Sequence, residues 1–252
     1  MSARHIVIPA RYASSRFPGK PLVEINGKTM LEHVYHVASK ASADSVVIAT
    51  DDQRIMDVAQ GFCEQVLMTS ADHQSGTDRL TEVCELMQWQ EDDIVVNLQG
   101  DEPLTPPQLL HQVADNLGRY PEASIATLTT PIHELHEVND PNIVKVVTDI
   151  DGYALYFSRA AIPFNRDAQS AMQHNSYHRH LGIYAYRVSF LNAYHKMPQC
   201  ELEMLEKLEQ LRAMFHGYKI HTQQAMTLPG PGIDTPEDLE KVHQLLVNTL
   251  HD

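Results

Sequence analysis

The chain contains no apolar run long enough to cross a membrane, and that absence is the first constraint on what it can be. Its opening stretch, MSARHIVIPA, is too short in apolar residues for a signal segment and meets Arg11 at once, so a cytoplasmic setting is expected. Cysteine is scarce as well: Cys63, Cys84 and Cys200 are odd in number, far apart and free of any C-x-x-C spacing. They argue against a disulfide framework, fit a reducing compartment and read as packing residues. Basic residues are outnumbered, with 19 Lys and Arg against 33 Asp and Glu, for a formal net charge of -14. A nucleic-acid binder that works by releasing counterions needs a basic face, which this balance does not supply. Any anionic ligand must therefore be met by a local cluster of Arg and Lys. Two glycine signatures are missing too. No G-x-G-x-x-G occurs, which disfavours a nicotinamide oxidoreductase, and Gly19-Lys20 is followed by proline where a Walker A loop carries Ser or Thr.

What is present is enough chain for one large domain. At 252 residues the sequence can bury a real core, and it shows no internal repeat or low-complexity tract, so a single domain over 1–252 is expected. Short β-branched runs at 5–10 (HIVIPA), 45–50 (SVVIAT), 65–69 (QVLMT) and 94–99 (IVVNLQ) read as strands. Helical patterns stand between them at 29–40, with Met30, Val34 and Val37 on one face, at 52–62 and at 78–87. Strands apolar on both faces and separated by helices predict an α/β fold whose parallel sheet is covered on each side.

Past residue 105 the pattern changes. A helix near 107–117 precedes strand-like segments at 124–131, 144–149, 153–159 and 180–188 with fewer helices between them, which predicts a mixed, partly antiparallel second half. VVTDIDGYALYFS reads as a hairpin turning at Asp151-Gly152. Helices over 189–194 and 201–215, a strand at 219–225 and a closing helix over 236–250 capped by Thr235 complete the pattern. The polar, aperiodic stretch Pro163–Ser176 is expected to be a mobile loop.

Four groups of residues carry chemistry. PARYASSRFPGKPL (9–22) follows the first strand directly and sets Arg11, Arg16 and Lys20 among Ser14, Ser15 and Gly19. Guanidinium forks and a mobile ammonium suit phosphate oxygens, and a loop at the carboxyl end of a strand lies where open α/β sheets bind ligands. A solvated basic turn is the plainer alternative. IVVNLQGDEP (94–103) ends a buried strand in Gln99, Gly100, Asp101 and Glu102. Mg²⁺ prefers one or two carboxylates plus phosphate oxygens and water, which suits Asp101 beside a phosphate loop, while Gly100 would let the backbone approach the ligand. Asp101 as a turn former is the alternative. GPGIDTPEDLEKV (230–242) bends before Asp234, a second carboxylate that could face Asp101; Asp234 or Thr235 also suits a helix N-cap. The last group is scattered: Ser75, Gly76 and Arg79 before a helix, Arg159, His180 and Tyr184 on strands, and Glu209 and Gln210 on an amphipathic helix. Each of these alone is ordinary surface chemistry.

Together these stretches closely resemble the 3-deoxy-manno-octulosonate cytidylyltransferase (CMP-KDO synthetase) family. The resemblance runs from IPARYASSRFPGKPL through TDD (50–52), MTSADHQSGTDRL, NLQGDEP, ALYFSRAAIP, HLGIYAYR and LEKLEQLR to PGIDTPEDLE, in order and over nearly the whole chain. Two departures stand out: Phe17 replaces the usual leucine of R-L-P-G-K, and Phe164 stands where the family carries Trp or Tyr. The stretch 165–178 does not align, so Arg166 receives no role.

The resemblance implies a Rossmann-like nucleotide-diphospho-sugar transferase fold with a mostly parallel central sheet, a homodimer, Mg²⁺ dependence and a place in lipopolysaccharide biosynthesis. It implies that 1–105 mainly binds nucleotide and that 106–252 mainly binds sugar and dimerises. By matching motif, Arg11, Ser14 and Lys20 would hold the CTP phosphates with help from Arg16, and Ala10, Ser75, Arg79 and Gln99 would contact the cytidine. Asp101 and Asp234 would ligate magnesium, forming the catalytic set with Lys20 and Arg11, while Arg159, His180, Tyr184, Glu209 and Gln210 would line the pocket for a 3-deoxy-octulosonate sugar acid.

Other readings remain open at this level. The acceptor could be the 8-amino analogue or a sialic-type acid, since one sequence cannot separate an amino group from a hydroxyl on a distal carbon. A non-catalytic CTP-binding protein is disfavoured by the presence of both Asp101 and Asp234. Zinc held by His174, His178 and His180 is disfavoured because no carboxylate or cysteine completes a tetrahedral set at the usual spacing.

Overall fold

The structure, a computed structural model, describes residues 2–13, 17–73, 75–166 and 176–248, the last three by their backbone only. Ser14, Arg16 and His174, and with them most of the loop expected over Pro163–Ser176, lie outside the described residues. The first strand, β1 (Arg4–Ala10), alternates as its sequence requires. Ile6 and Ile8 enter the core on one face, with Leu31, Val34, Ile48 and Val113, and Val7 enters on the other, with Val47, Leu80, Val83 and Val95. A small hairpin, β2 (Glu24–Ile25) and β3 (Lys28–Thr29), turns at Asn26-Gly27, both at positive φ. That is the conformation this dipeptide is suited to.

Alternation of strand and helix then proceeds as the periodicity predicts. Helix α1 (Met30–Ser39) starts at Thr29, whose hydroxyl accepts from the Glu32 amide at 3.2 Å. Strand β4 (Ser45–Thr50), α2 (Gln53–Ala59) capped by Asp52, and β5 (Gln65–Met68) follow. Helix α3 (Gly76–Met87) opens with a reciprocal capping box between Ser75 and Asp78. Then come β6 (Ile94–Asn97), α4 (Pro107–Arg119), β7 (Ile125–Pro131) and α5 (Leu135–Asn139). The expected hairpin is β8 (Lys145–Thr148) against β9 (Ala154–Ser158), and Gly152 in its turn has φ +87°, a region that favours glycine. Strand β10 (His178–Arg187) and α6 (Val188–Tyr194) lead to the next helical stretch.

Here the sequence expectation of one helix over 201–215 is corrected. The stretch divides into α7 (Glu201–Glu206) and α8 (Gln210–Phe215), because Lys207 takes a left-handed φ of +54° that no α-helix accommodates. Strand β11 (Ile220–Gln224) and α9 (Pro236–Asn248) close the described chain, and Thr235 caps α9 through the Asp238 amide.

Among the described residues nine strands form one sheet, whose main path runs β5-β4-β1-β6-β10-β7-β11. β5, β4, β1 and β6 are mutually parallel, while β10 runs antiparallel to both β6 and β7. The parallel first half and mixed second half are thus as the pattern predicts. From β1 the chain builds one side through β4 and then returns to place β6 on the other. The crevice outside the carboxyl ends of β1 and β6 is therefore a topological switch point, where open α/β sheets take their ligands. Strand β10 is bulged between Leu181 and Tyr184 opposite β7. Thr127 Oγ1 fills the bulge, 3.0 and 2.8 Å from the carbonyl oxygens of Leu181 and Ile183 and 3.1 Å from His180 Nε2.

Candidate active site

Parallel pairing of β1 with β6, from Arg4 opposite Ile94 to Val7 opposite Asn97, brings the loops after the two strands side by side. Gly100 sits where they touch, and a Cβ there would lie 2.8 Å from the Pro9 carbonyl oxygen. The backbone that Gly100 admits here is that of β1. Asp101 then projects at the crevice with its side chain 29% exposed.

The second carboxylate arrives from far along the chain. The Ile233 amide donates to the Asp101 carbonyl at 2.9 Å, which docks the bend before α9 onto the loop after β6 and turns Asp234 toward Asp101. Between the two stands Lys20, at the start of a short 3-10 turn. Its ammonium donates to Asp101 Oδ2 at 2.5 Å, to the Ile233 carbonyl at 3.1 Å and to Asp234 Oδ1 at 3.3 Å. Gly19, at φ +72°, makes the turn that delivers Lys20, and its amide donates to the Tyr12 carbonyl at 2.9 Å to close the loop at its base. The Arg54 guanidinium, held by the Asp52 carboxylate, covers the Tyr12 ring at 3.3 Å from its centroid. Beside Asp101, burial chiefly, and the Asp101 charge next, push the Glu102 carboxyl up to about 7.

The donor set can be tested against a divalent ion. Among the described residues no three His, Cys, Asp or Glu side chains gather as a metal cluster. Mg²⁺ asks for less, since one or two carboxylates suffice when phosphate oxygens and water complete an octahedron. Lys20 Nζ already stands where a cation would, among two carboxylates and a carbonyl oxygen, so the hard-oxygen environment fits magnesium.

Arg11 faces the same crevice from the end of β1, and its Nη2 donates to the Ser75 carbonyl at 3.0 Å, tying the loop to the start of α3. Ala10 is buried as the last residue of β1. Arg79 is fully buried one turn into α3, where its guanidinium pairs with Asp51 Oδ2 at 2.7 Å and with the Thr69 hydroxyl. That arrangement braces the loop after β4 against α3.

A cavity of about 460 Å³ opens beside Gln99 on the α3 and α6 side of the sheet. The structure brings Gln99, His180, Tyr184, Glu209 and Gln210 into its wall. Glu209 sits at the break between α7 and α8, with its Oε2 accepting from the Thr77 hydroxyl at 3.2 Å; desolvation there raises its pKa. Burial likewise raises the Tyr184 hydroxyl, and it lowers the His180 imidazole to about 3, so His180 stays neutral over the working range. Arg159 does not line this cavity; its Nε and Nη1 are spent on the carbonyl oxygens of Glu206 and Pro141, at 2.7 and 2.9 Å.

Sequence reasoning missed Asn97, Thr77, Tyr186 and Tyr194, which share the wall. Asn97 had a signal, being the one polar residue inside the apolar IVVNL run. Asn97 Oδ1, Gln210 Nε2 and the Tyr194 hydroxyl are buried without a hydrogen-bond partner among the described residues. Such groups are expensive to leave unpaired, and at a cavity wall they are ready for a polyhydroxylated ligand.

An α/β sheet with a cationic loop and two convergent carboxylates at its switch point, opening onto a polar cavity, defines a nucleotidyltransferase class of site. The chain belongs to the cytidylyltransferase family, whose pattern it matches over residues 5–220. It is 54% identical over 244 residues to the 3-deoxy-manno-octulosonate cytidylyltransferase of Thioalkalivibrio sulfidiphilus, covering 96% of this chain and 98% of that protein. It is 49% identical over 248 residues to the enzyme of the same name from Haemophilus influenzae, covering 96% and 97%. Among solved structures it is similar to a CMP:2-keto-3-deoxy-manno-octonic acid synthetase complexed with CTP, with a TM-score of 0.91 and 44% identity over 98% of this chain and 100% of that one. A 4-diphosphocytidyl-2C-methyl-D-erythritol synthase shares the fold alone, at a TM-score of 0.64 and 16% identity over 98% and 99% of the two chains.

Proposed function

We propose that this chain transfers the cytidylyl group of CTP to 3-deoxy-manno-octulosonate, forming CMP-3-deoxy-manno-octulosonate and pyrophosphate. The observation that carries this reading is the adjacency of two compartments across Gln99: a cation-and-carboxylate crevice on one side and a polar cavity of about 460 Å³ on the other. The name shared by the nearly full-length relatives, and the CTP held by the similar solved structure, point to the same pair of substrates.

In the proposed mechanism the anomeric C2 oxygen of the sugar attacks the α-phosphorus in line. The new C2–O–P bond forms as the bond to the β-phosphate oxygen breaks, pyrophosphate departs and the hydroxyl proton passes to solvent. Arg11 and Lys20 neutralise the charge gathering on the leaving pyrophosphate, with Ser14 and Arg16 assigned to the same phosphates. Ala10, Ser75, Arg79 and Gln99 are assigned to the cytidine. The neutral His180 and the Tyr184 hydroxyl, with Glu209 and Gln210, are assigned to orienting the sugar acid, which makes attack effectively intramolecular. Asp101 and Asp234 would hold magnesium, which supplies Lewis acidity toward the phosphate and the attacking hydroxyl.

The same proposal takes residues 1–105 as mainly nucleotide-binding and 106–252 as mainly sugar-binding and dimerising. It also includes a role in lipopolysaccharide biosynthesis, a cytoplasmic setting and a homodimer. The exposed hairpin residues Ile150 and Leu155 belong to the surface proposed to pair. No described helix is long and apolar enough to cross a membrane.

The test is a pyrophosphate-release screen of the four nucleoside triphosphates against 3-deoxy-manno-octulosonate, its 8-amino analogue and a sialic acid, with and without Mg²⁺. Turnover is expected with CTP and the first acid in magnesium. Preference for another acid would shift the acceptor, and CTP binding without pyrophosphate would overturn catalysis altogether.

A further inference from the structure

Outside the cavity a partly buried polar network surrounds Arg159, at the end of β9. The residue is tied at four points. Its amide donates to Glu206 Oε2 at 2.8 Å, its Nε to the Glu206 carbonyl at 2.7 Å and its Nη1 to the Pro141 carbonyl at 2.9 Å, while its own carbonyl accepts from Lys145 Nζ at 2.6 Å. Lys145 is completely buried, and its ammonium also donates to the carbonyl oxygens of Asp140 and Ile143, at 2.9 and 2.6 Å. The other oxygen of Glu206, Oε1, accepts from the Ser158 hydroxyl at 2.6 Å. The lysine has all three of its donors matched to carbonyl oxygens and each oxygen of the carboxylate has a donor, and such satisfied networks rigidify what they hold.

Position along the chain gives the network its consequence. Glu206 is the last residue of α7, and the chain breaks helix at Lys207, so that Lys207, Leu208, Glu209 and Gln210 form one wall of the cavity. The same residue therefore grips the end of β9 with its side chain and sets the cavity wall with its backbone.

We propose that Glu206 is a positioning residue for the acceptor sugar acid: its carboxylate locks the end of β9, through the Ser158 hydroxyl and the Arg159 amide, to the Lys207–Gln210 wall, so that the groups meeting the acid keep a fixed spacing. This rests on the reading of Glu209 and Gln210 as acceptor-binding residues. The frame that holds their wall ties Glu206 to β9 and, among the described residues, makes no bond to the nucleotide side of the crevice. The lock should therefore act on the acid and spare CTP.

Steady-state kinetics with CTP and 3-deoxy-manno-octulosonate test this in Glu206→Ala, Glu206→Gln and Gln210→Ala. Glu206→Ala is expected to raise KM for the acid about tenfold while KM for CTP stays within about twofold, because it removes binding that the nucleotide does not use. Glu206→Gln preserves shape and one acceptor oxygen, and is expected to recover most of the loss. Should Glu206→Ala fold poorly, Ser158→Ala removes a single tether and should shift KM for the acid alone, by about two- to threefold. Equal changes in both KM values, or a lower Tm with neither KM moved, would reduce Glu206 to a structural residue and overturn the proposal. If Gln210→Ala leaves KM for the acid unchanged, the acceptor role of the wall falls and the positioning role falls with it. If Gln210→Ala raises it while the Glu206 variants are silent, the positioning role alone is lost.

Discussion

Lys20 and Asp101 are in direct contact, with the ammonium 2.5 Å from Oδ2, and the same ammonium reaches Asp234 Oδ1 at 3.3 Å. One cation thus holds together two carboxylates separated by more than half the sequence. Without it they would face each other as like charges. On the proposed mechanism, in which they stabilise the transferring phosphate, Asp101→Asn and Asp234→Asn are each expected to lower kcat roughly 100-fold while the Kd for CTP changes only a few-fold. Stopped-flow pyrophosphate release and calorimetric CTP titration separate the two quantities, and near-normal turnover in either variant would refute the mechanism.

If the proposed magnesium site is right, the contact makes Lys20 a competitor of the ion for the same oxygens. In Lys20→Met the two carboxylates lose their internal counter-ion, so Mn²⁺ should bind the nucleotide-free protein more tightly than it binds the wild type. Electron paramagnetic resonance titration reads this without turnover. Weaker binding in the variant would mean that the ammonium and the metal do not share a position.

Arg79 is fully buried with Asp51 as its charged partner, and desolvation already lowers its pKa. Asp51→Ala leaves that guanidinium uncompensated and is expected to destabilise the fold by roughly 3 kcal/mol, visible as a lower midpoint in urea unfolding. The double variant Asp51→Ala, Arg79→Met should recover part of the loss, because a buried charge without a partner is worse than none.

His180 is held far below the ordinary imidazole value of 6.5, at about 3, first by burial and then by the Arg179 charge. The folded protein therefore takes up this proton less readily than the unfolded chain does. The stability tied to neutral His180 is fully present above about pH 6.5 and is lost as pH falls toward 3, with a slope of up to about 1.4 kcal/mol per pH unit. His180→Gln should flatten this part of the stability profile, measured by chemical denaturation at stepped pH. An unchanged slope would show that other groups carry the acid sensitivity.

Gly100 brings the loop after β6 against β1, and a Cβ there would stand 2.8 Å from the Pro9 carbonyl oxygen. Gly100→Ala is expected to cost about 1–3 kcal/mol as the two loops separate. Because Asp101 follows directly, kcat should drop along with Tm. A stable variant of normal activity would show that the loops have room to yield.

Much of this protein is legible in its residues because the relevant physics is local. The alternation of Ile6, Val7 and Ile8 dictates a strand buried on both faces, Thr29 and Ser75 announce helix starts, and Asp151-Gly152 announces a turn. The cationic loop is equally local, since Arg11 and Lys20 stand nine residues apart in the stretch that follows β1. Lys207 escaped that reading, because nothing in LEMLEKLEQLR forbids a continuous helix. The break was decided by the cavity and by the grip of Glu206 on β9.

The sequence by itself therefore determined the layered α/β fold, the cationic loop after β1 and the residue types of the candidate site. Which of those residues meet was decided only by tertiary structure. The Ile233 amide on the Asp101 carbonyl brings the carboxylates together, the burial of Arg79 ties it to Asp51, and the bulge opposite Thr127 places His180 and Tyr184 at the cavity. The physical reason is that side-chain periodicity and turn chemistry act over a few residues, whereas a site is closed by contacts between distant segments. Their spacing is set by how the sheet pairs and the core packs.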